Sequence, residues 1–469
     1  MTRNFQVLCV LALSACALKD PMPRDEMAMQ AAPNLTVAAQ WVASGGSAGA
    51  VGDNWLASWN DPALDKLVAE ALVYNADLRI AAARVDQAAA YVRAAASPAW
   101  PQVNLLARGG GQMGGDPSGL QGVGLFASWE LDIWGRVRAD KAAADMQYES
   151  TRLDAEYARQ SIAALVTKSW VLAIESRLSK AQAEAMQGAS EQLASLARDR
   201  LRVGVGDEYE VALAQANAET FRDTVKSLDL AYQNALRALE TLVGRYPAAA
   251  VVVATSLPRW PGDVPVGLPS ELLERRPDVI AAERRVASAF YRIEEAKAAR
   301  LPKISLVGSV TSLSSEMIVL KTKDNPVASI GANLLQPLFL GGYLQSQVEA
   351  RTAEQQAAIA DYGKVSSRVF GEVEGALSAG FNAAEREQIL ARSIRENARA
   401  LELANVRYRV GSGDLRGVGQ QQLMLYSVQV TLLRVQSDRL VQRVNLHLAL
   451  GGSFDDLAAA PVKTSAAKE

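Results

Sequence analysis

The chain has little of what enzymes use. Its 469 residues hold two cysteines and one histidine. Both cysteines, Cys9 and Cys16, lie at the extreme N-terminus, so the body of the chain has no disulfide and no thiol chemistry. The lone His447 falls in a helical run, where a single imidazole reads as packing or surface rather than as a ligand. No phosphate-cradling loop is present, and the acids and bases are scattered along helices as solvated faces. No catalytic residue, metal or cofactor is therefore expected, and the chain reads as not an enzyme. Lys and Arg number 49 against 51 Asp and Glu, a net charge of −2. With no basic excess, nucleic acid is not an expected partner. Although 49% of the residues are apolar, no uninterrupted run reaches the ~20 residues of a membrane helix.

What is there begins with a processing segment. Arg3 supplies a positive start, and Phe5 to Leu13 form an apolar stretch too short to span a bilayer. Leu13-Ser14-Ala15-Cys16 resembles a bacterial lipobox, which makes residues 1–15 a lipoprotein signal peptide and Cys16 the lipidation site; a plain secretory signal is the alternative. Ala17 stands where Asp would be, which by resemblance to the enterobacterial sorting pattern favours the outer membrane. Residues 16–50 are rich in Met, Pro, Ala and Gly and read as a lipidated, extended tether. Met22, Met27 and Met29 are soft-metal donors in principle, but a linker that contains methionine accounts for them.

The body of the chain is a duplication. Arg202-Val203-Gly204-Val205-Gly206-Asp207 returns as Arg409-Val410-Gly411-Ser412-Gly413-Asp414. Each copy is a tight helix-to-helix turn: glycine accepts the left-handed conformation at a helix end, and Asp caps the next helix. Residues 51–246 form the first repeat and 270–451 the second, joined by a Pro-rich connector at 247–269; 452–469 reads as a disordered tail. In each repeat a helix is followed by two segments of period-two alternation. Val103, Leu105 and Ala107 oppose Gln102, Asn104 and Arg108; Val123, Leu125, Ala127, Trp129 and Leu131 oppose Gly124, Ser128 and Glu130. In the second repeat Ile304, Leu306 and Val310 oppose Lys303, Ser305 and Thr311, and Ala328, Ile330, Ala332 and Leu334 oppose Ser329, Gly331 and Asn333. These are strands with one apolar face. From about Gly135 to Arg202 nothing but Gly188 interrupts helix, which predicts an element on the order of 100 Å long.

Four strands of outer-membrane length cannot close a barrel, and an open edge in lipid costs several kcal/mol per unpaired group. The expected fold is a mixed α and β membrane protein with an internal duplication. Several chains would pool their strands into one barrel, with the long helices projecting away from the bilayer as antiparallel hairpins packed into a tube. The number of chains comes from a resemblance. Trp129-Glu130-Leu131-Asp132-Ile133-Trp134-Gly135-Arg136, the run from Gly267-Leu268-Pro269-Ser270 to Arg275-Arg276-Pro277-Asp278, Arg407-Tyr408-Arg409-Val410-Gly411 and the lipobox resemble the lipoprotein branch of the TolC-like outer-membrane efflux channels.

That resemblance implies a homotrimer, with four strands per chain closing a 12-stranded outer-membrane β-barrel that continues into a long periplasmic α-barrel of antiparallel helical hairpins. It implies that the trimer meets a periplasmic adaptor and an inner-membrane pump, serving as a passive exit duct for small molecules or drugs. It also implies helix tips that coil inward to close the periplasmic end, with an acid six positions past each tip glycine. The first repeat has Glu210 there, whereas the second has Gly417, and Gln420 stands where a further acid is usual. Asp207, Asp414 and Arg416 are the nearby alternatives for a gate. Val203, Gly204, Val205 and Gly206, with Val410, Gly411, Ser412 and Gly413, are the expected adaptor contacts. A duct for type I protein secretion, a metal-efflux duct and a lipid-anchored coiled-coil scaffold without a pore are the competing readings. The paired amphipathic strands disfavour the last.

Overall fold

The computed structural model describes residues 19–43, 46–47, 49–108, 121–314 and 326–454. The expected signal segment, Cys16 and residues 109–120 and 315–325 lie outside them. Chain order is α1 (Arg24–Ala31), a 3-10 turn (Trp55–Trp59), α2 (Pro62–Tyr74), α3 (Ala76–Ala96), β1 (Gln102–Arg108) and β2 (Gln121–Leu131), then α4 (Arg136–Arg202) and α5 (Glu208–Leu242). The second half follows with α6 (Pro277–Ala298), β3 (Lys303–Ser314), β4 (Val327–Leu335), α7 (Tyr343–Arg409) and α8 (Leu415–Ala449).

The duplication is exact in length where it matters. Helices α4 and α7 each have 67 residues, α5 and α8 each have 35. At 1.5 Å per residue the long pair extend ~100 Å each. Their ends are set by the same chemistry twice. Gly204 and Gly411 both have φ +77°, and the Val205 and Ser412 amides return to the Arg200 and Arg407 carbonyls. At the far ends of α5 and α8, Gly244 and Gly451 take positive φ, and the next amides bond back to the Glu240 and His447 carbonyls. Both are Schellman-type stops that satisfy otherwise orphaned carbonyls. Helix α2 starts as Asp61-Pro62 predicts, with the Asp61 carboxylate accepting from the Ala63 and Leu64 amides. Among the described residues no helix is long and apolar enough to cross a membrane.

The chain divides into two compact units. One contains residues through Leu35, Ala82–Ala155 and Asp278–Ser366. It carries the sheet, an antiparallel meander in the order β1-β2-β3-β4, in which β2 of the first repeat pairs with β3 of the second over Gln121–Leu131. The register places Leu105, Leu125, Val310 and Ala328 in one transverse row, with Trp129–Leu306–Ala332 and Leu131–Ile304–Leu334 in others on the same face. That face is apolar and solvent-exposed; Ile330, at 91%, is bare. Arg136 joins sheet to helix, with its guanidinium on Glu130 at 2.9 Å and Glu295 at 3.5 Å. Asp132 caps α4 through the Val137 and Arg138 amides.

Within the stretch expected as an extended tether, this unit instead holds α1. Arg24 pairs with Glu283 at 2.6 Å, Met27 is buried, and the Ala31 carbonyl lies against Gly363, where a β-carbon would come within 2.2 Å of it. Composition hid this helix because its one buried side chain gives no amphipathic signal.

The other unit holds Thr36–Ala81, Glu156–Pro277 and the chain from Ser367 on. Its core is Trp55, Leu56, Leu64, Leu67, Val68, Trp170, Ile174, Leu239, Val444 and their neighbours. The connector is clamped by Glu240. This buried carboxylate accepts the Ala249, Ala250 and Val251 amides at 2.7, 2.6 and 3.1 Å. The Arg-Arg-Pro-Asp motif is also structural. Its fully buried Arg276 reaches Glu372 at 2.6 Å, the Ala449 carbonyl at 3.0 Å and the Tyr157 hydroxyl at 3.1 Å. Residues 42 and 43 give both amides to Glu374. The first residues of the expected tail, 452–454, are buried rather than loose, because Phe454 closes the core and Ser453 is held by Asp53. The remainder, 455–469, lies outside the described residues.

Candidate functional site

The two Gly-X-Gly-Asp turns meet. The ends of α4 and α7 and the starts of α5 and α8 share a small core of Leu193, Ala194, Ala197, Ala214, Tyr408, Leu415 and Val418. Small residues permit the approach. A β-carbon on Gly419 would stand 2.8 Å from the Asn217 side-chain nitrogen.

Asp207 and Asp414, both gate alternatives from the sequence, cap the return helices. Asp207 accepts the Glu210 amide at 2.8 Å and Asp414 the Gly417 amide at 2.7 Å. The acids thus face the helix N-termini, where negative charge is favoured. Glu210 faces another way: the hydroxyl of Tyr408 donates to its Oε2 at 3.3 Å. Arg200 packs its guanidinium over the Tyr408 ring at 4.5 Å and donates to the Tyr408 carbonyl at 3.2 Å. Its Nε stands 4.0 Å from Glu210, the outer limit of an ion pair. Tyr408 is fully buried, and burial followed by the nearby Glu210 charge pushes its phenol above the ordinary value. It stays a neutral donor.

Arg416 makes the second link, donating to the Tyr209 hydroxyl at 2.7 Å with its guanidinium 5.9 Å from the ring centre. Tyr209 and Arg416 are equivalent positions of the two repeats, 207 residues apart. Two equivalent positions can touch only beside the local axis relating the repeats, so this contact marks the pseudo-symmetric centre of the tip. Sequence reasoning named Glu210 and Arg416 but not their partners Tyr408, Arg200 and Tyr209. The equal offset was the one signal that could have found Tyr209. Around this centre Val203, Val205 and Val410 are exposed, at 69%, 63% and 71%.

These tip groups set two positive charges, Arg200 and Arg416, among three negative ones, Glu210, Asp207 and Asp414. Each polar link is one hydrogen bond between a neutral phenol and a charged group, a class worth about 1.5–3 kcal/mol with good geometry and less where it is long or exposed. Such links hold a conformation without locking it. Among the described residues no group of His, Cys, Asp and Glu is placed to hold a metal.

Comparison with known proteins gives a consistent result. The profile of the family described as "Outer membrane efflux protein" matches residues 67–245 and 268–452, one block per repeat. The chain is 30% identical over 464 residues to the pyoverdine export outer membrane protein OpmQ of Pseudomonas aeruginosa, covering 95% of each. It is 28% identical over 481 residues to the antibiotic efflux pump outer membrane protein ArpC of Pseudomonas putida, covering 97% of this chain and 96% of the other. Among solved structures, the Campylobacter jejuni CmeC outer membrane channel superposes with a TM-score of 0.82 at 23% identity, covering 91% and 95%. That last likeness speaks to the fold alone.

Proposed function

Because the chain belongs to the outer membrane efflux protein family, and is an efflux channel component of the outer membrane that extends into the periplasm, we propose that it works as a homotrimer enclosing one duct. Three sheets would join edge to edge as a 12-stranded barrel, and three sets of long helices would continue it through the periplasm. The observation carrying this reading is the sheet itself. It has one continuous apolar face and two open edges, β1 and β4, and neither is tolerable in lipid unless other copies cover the edges.

Proteins of this kind act with an adaptor and an inner-membrane pump. The finer proposal is that the exposed tip turns, Val203–Gly206 and Val410–Gly413, are the adaptor contact, and that a pump of the resistance-nodulation-division type supplies the energy. The cargo in view is small molecules. Relatives with nearly full-length similarity carry names as different as pyoverdine export and antibiotic efflux, which supports a duct that does not choose its cargo. Lipidation at Cys16 would tether each copy.

The closed state of the tip is assigned to the two links, Tyr408–Glu210 with Arg200, and Arg416–Tyr209. Asp207 and Asp414 act indirectly by fixing the helix starts. The gate lacks an acid at Gly417 and Gln420, so its second-repeat side relies on Arg416. Single-channel conductance of the purified chain in a planar bilayer, with its mass measured in the same detergent, tests the reading. A trimer whose small resting conductance rises in Glu210→Ala supports it; a monomer without conductance overturns it.

A further inference from the structure

The register defines the second face of the sheet as clearly as the first. Asn104, Phe126, Ser309 and Ser329 form one transverse row across all four strands. The Ser309 and Ser329 hydroxyls are hydrogen-bonded at 2.8 Å. The rows on either side are Leu106–Gly124–Thr311–Val327 and Gln102–Ser128–Val307–Gly331. None of these twelve positions carries a charge, and Phe126 is the one aromatic residue among the described positions of that face.

Phe126 is not randomly disposed. A β-carbon on Gly124 would lie 3.0 and 3.2 Å from two of its ring carbons, and 2.6 Å from the Thr311 methyl. The ring therefore leans over the space that glycine leaves, backed on one side by the sheet. It remains 37% exposed. Leaning a ring over a strand glycine protects that backbone and fixes the ring's orientation, so its open surface is pre-set at little entropic cost.

We propose that Phe126 is a cargo-contacting residue of the channel, a fixed aromatic ledge that transiently binds planar aromatic molecules, organic cations above all, as they pass through the barrel. This rests on the shared-barrel reading, in which the face opposite the apolar one lines the lumen and three-fold symmetry sets three rings at one height. Twelve strands spaced ~4.8 Å apart and tilted ~40° enclose a cylinder ~24 Å across between backbones. Three flattened rings cannot shut such a bore. They offer stacking and cation–π surface, beside neutral hydrogen-bonding groups from Asn104, Ser309 and Ser329. A contact of that kind delays cargo without trapping it. A wall free of fixed charge in these three rows neither repels organic cations nor holds them by ion pairing.

The test uses the full chain in detergent, titrated with ethidium, whose fluorescence rises when it leaves water. Mass and bilayer conductance are measured on the same preparation. Weak saturable binding is expected, lowered about fivefold in Phe126→Ala and in Phe126→Leu, and kept in Phe126→Trp. Leu retains apolar cover for Gly124 without a ring, so it separates loss of the ledge from loss of folding. Excess tetramethylammonium, which can lie on the ring face but cannot stack, should displace the dye only weakly, whereas a planar aromatic cation should displace it fully. A conducting trimer that binds ethidium equally well as Phe126→Leu overturns the proposal and leaves the barrel standing. A non-conducting monomer overturns the barrel, and the ledge with it.

Discussion

Replacing Tyr408 and Tyr209 by Phe tests the tip most cleanly. Each substitution removes one hydroxyl and leaves a ring of the same shape. In Tyr408→Phe the packing of the buried ring survives, as does the Arg200 guanidinium 4.5 Å from its centre; only the 3.3 Å bond to Glu210 is lost. In Tyr209→Phe the 2.7 Å bond from Arg416 is lost, while the cation remains over the ring. The first bond is long and its donor buried, which makes it worth about 1 kcal/mol; the second is short but exposed, and solvent holds it to about the same. If both bonds exist only in the closed tip, each single variant raises the open-to-closed ratio about fivefold per protomer, and by more for a channel whose three tips open together, since 1.4 kcal/mol is a factor of ten. Tyr408 Oη and Tyr209 Oη serve different partners, so the effects should be nearly additive, about twenty-five-fold in the double variant. Open probability in planar bilayers reads this directly, with Gln233→Ala, high on the α5 helix, as a control. If the double variant opens no more often than the parent chain, the links do not hold the tip closed. A double effect equal to either single one would mean that the two links form one unit.

Other expectations follow from individual contacts. Glu240→Ala strands three connector amides that now have a buried acceptor, and should destabilise the chain by about 3 kcal/mol, read as a lower unfolding midpoint with increased proteolysis near Ala249. His447 is buried against Trp55, its ring nitrogens unpartnered, and burial first, then the Arg443 charge, lowers its pKa from 6.5 to about 3. The neutral ring is undisturbed above pH 6.5. As pH falls from there towards 3 the unfolded chain binds a proton that the folded chain does not, so stability should drop by up to about 1.4 kcal/mol per unit. His447→Phe should flatten that part of a stability–pH curve, and an unchanged slope would show that His447 is not its source. Gly363→Ala sets a methyl against the Ala31 carbonyl and should release α1, seen as protease cleavage between Arg24 and Ala31 while the rest of the chain stays intact.

The repeat, the tip turns, the strand alternation and the family were all legible in the sequence, and for one reason: each is written in local terms. Period two and period 3.6 are properties of neighbouring residues, Gly-X-Gly-Asp dictates a turn through its own backbone freedom, and its return 207 positions later declares a duplication wherever the copies lie. Glu210 was singled out by its count from the tip glycine, through the family resemblance, and Arg416 by its nearness to the second turn. What they touch was not legible. Tyr408 lies 198 positions from Glu210 and Arg416 lies 207 from Tyr209, and which rings reach which charges depends on how four helix ends pack. Tertiary structure likewise decided that β2 pairs with β3 across the repeats, that Glu240 grips the connector, and that Arg276 is buried among Glu372, Tyr157 and a helix end. It also turned a Met-rich tether into a docked helix. Those outcomes come from burial and long-range hydrogen bonding, which reward particular partners only after the local elements exist.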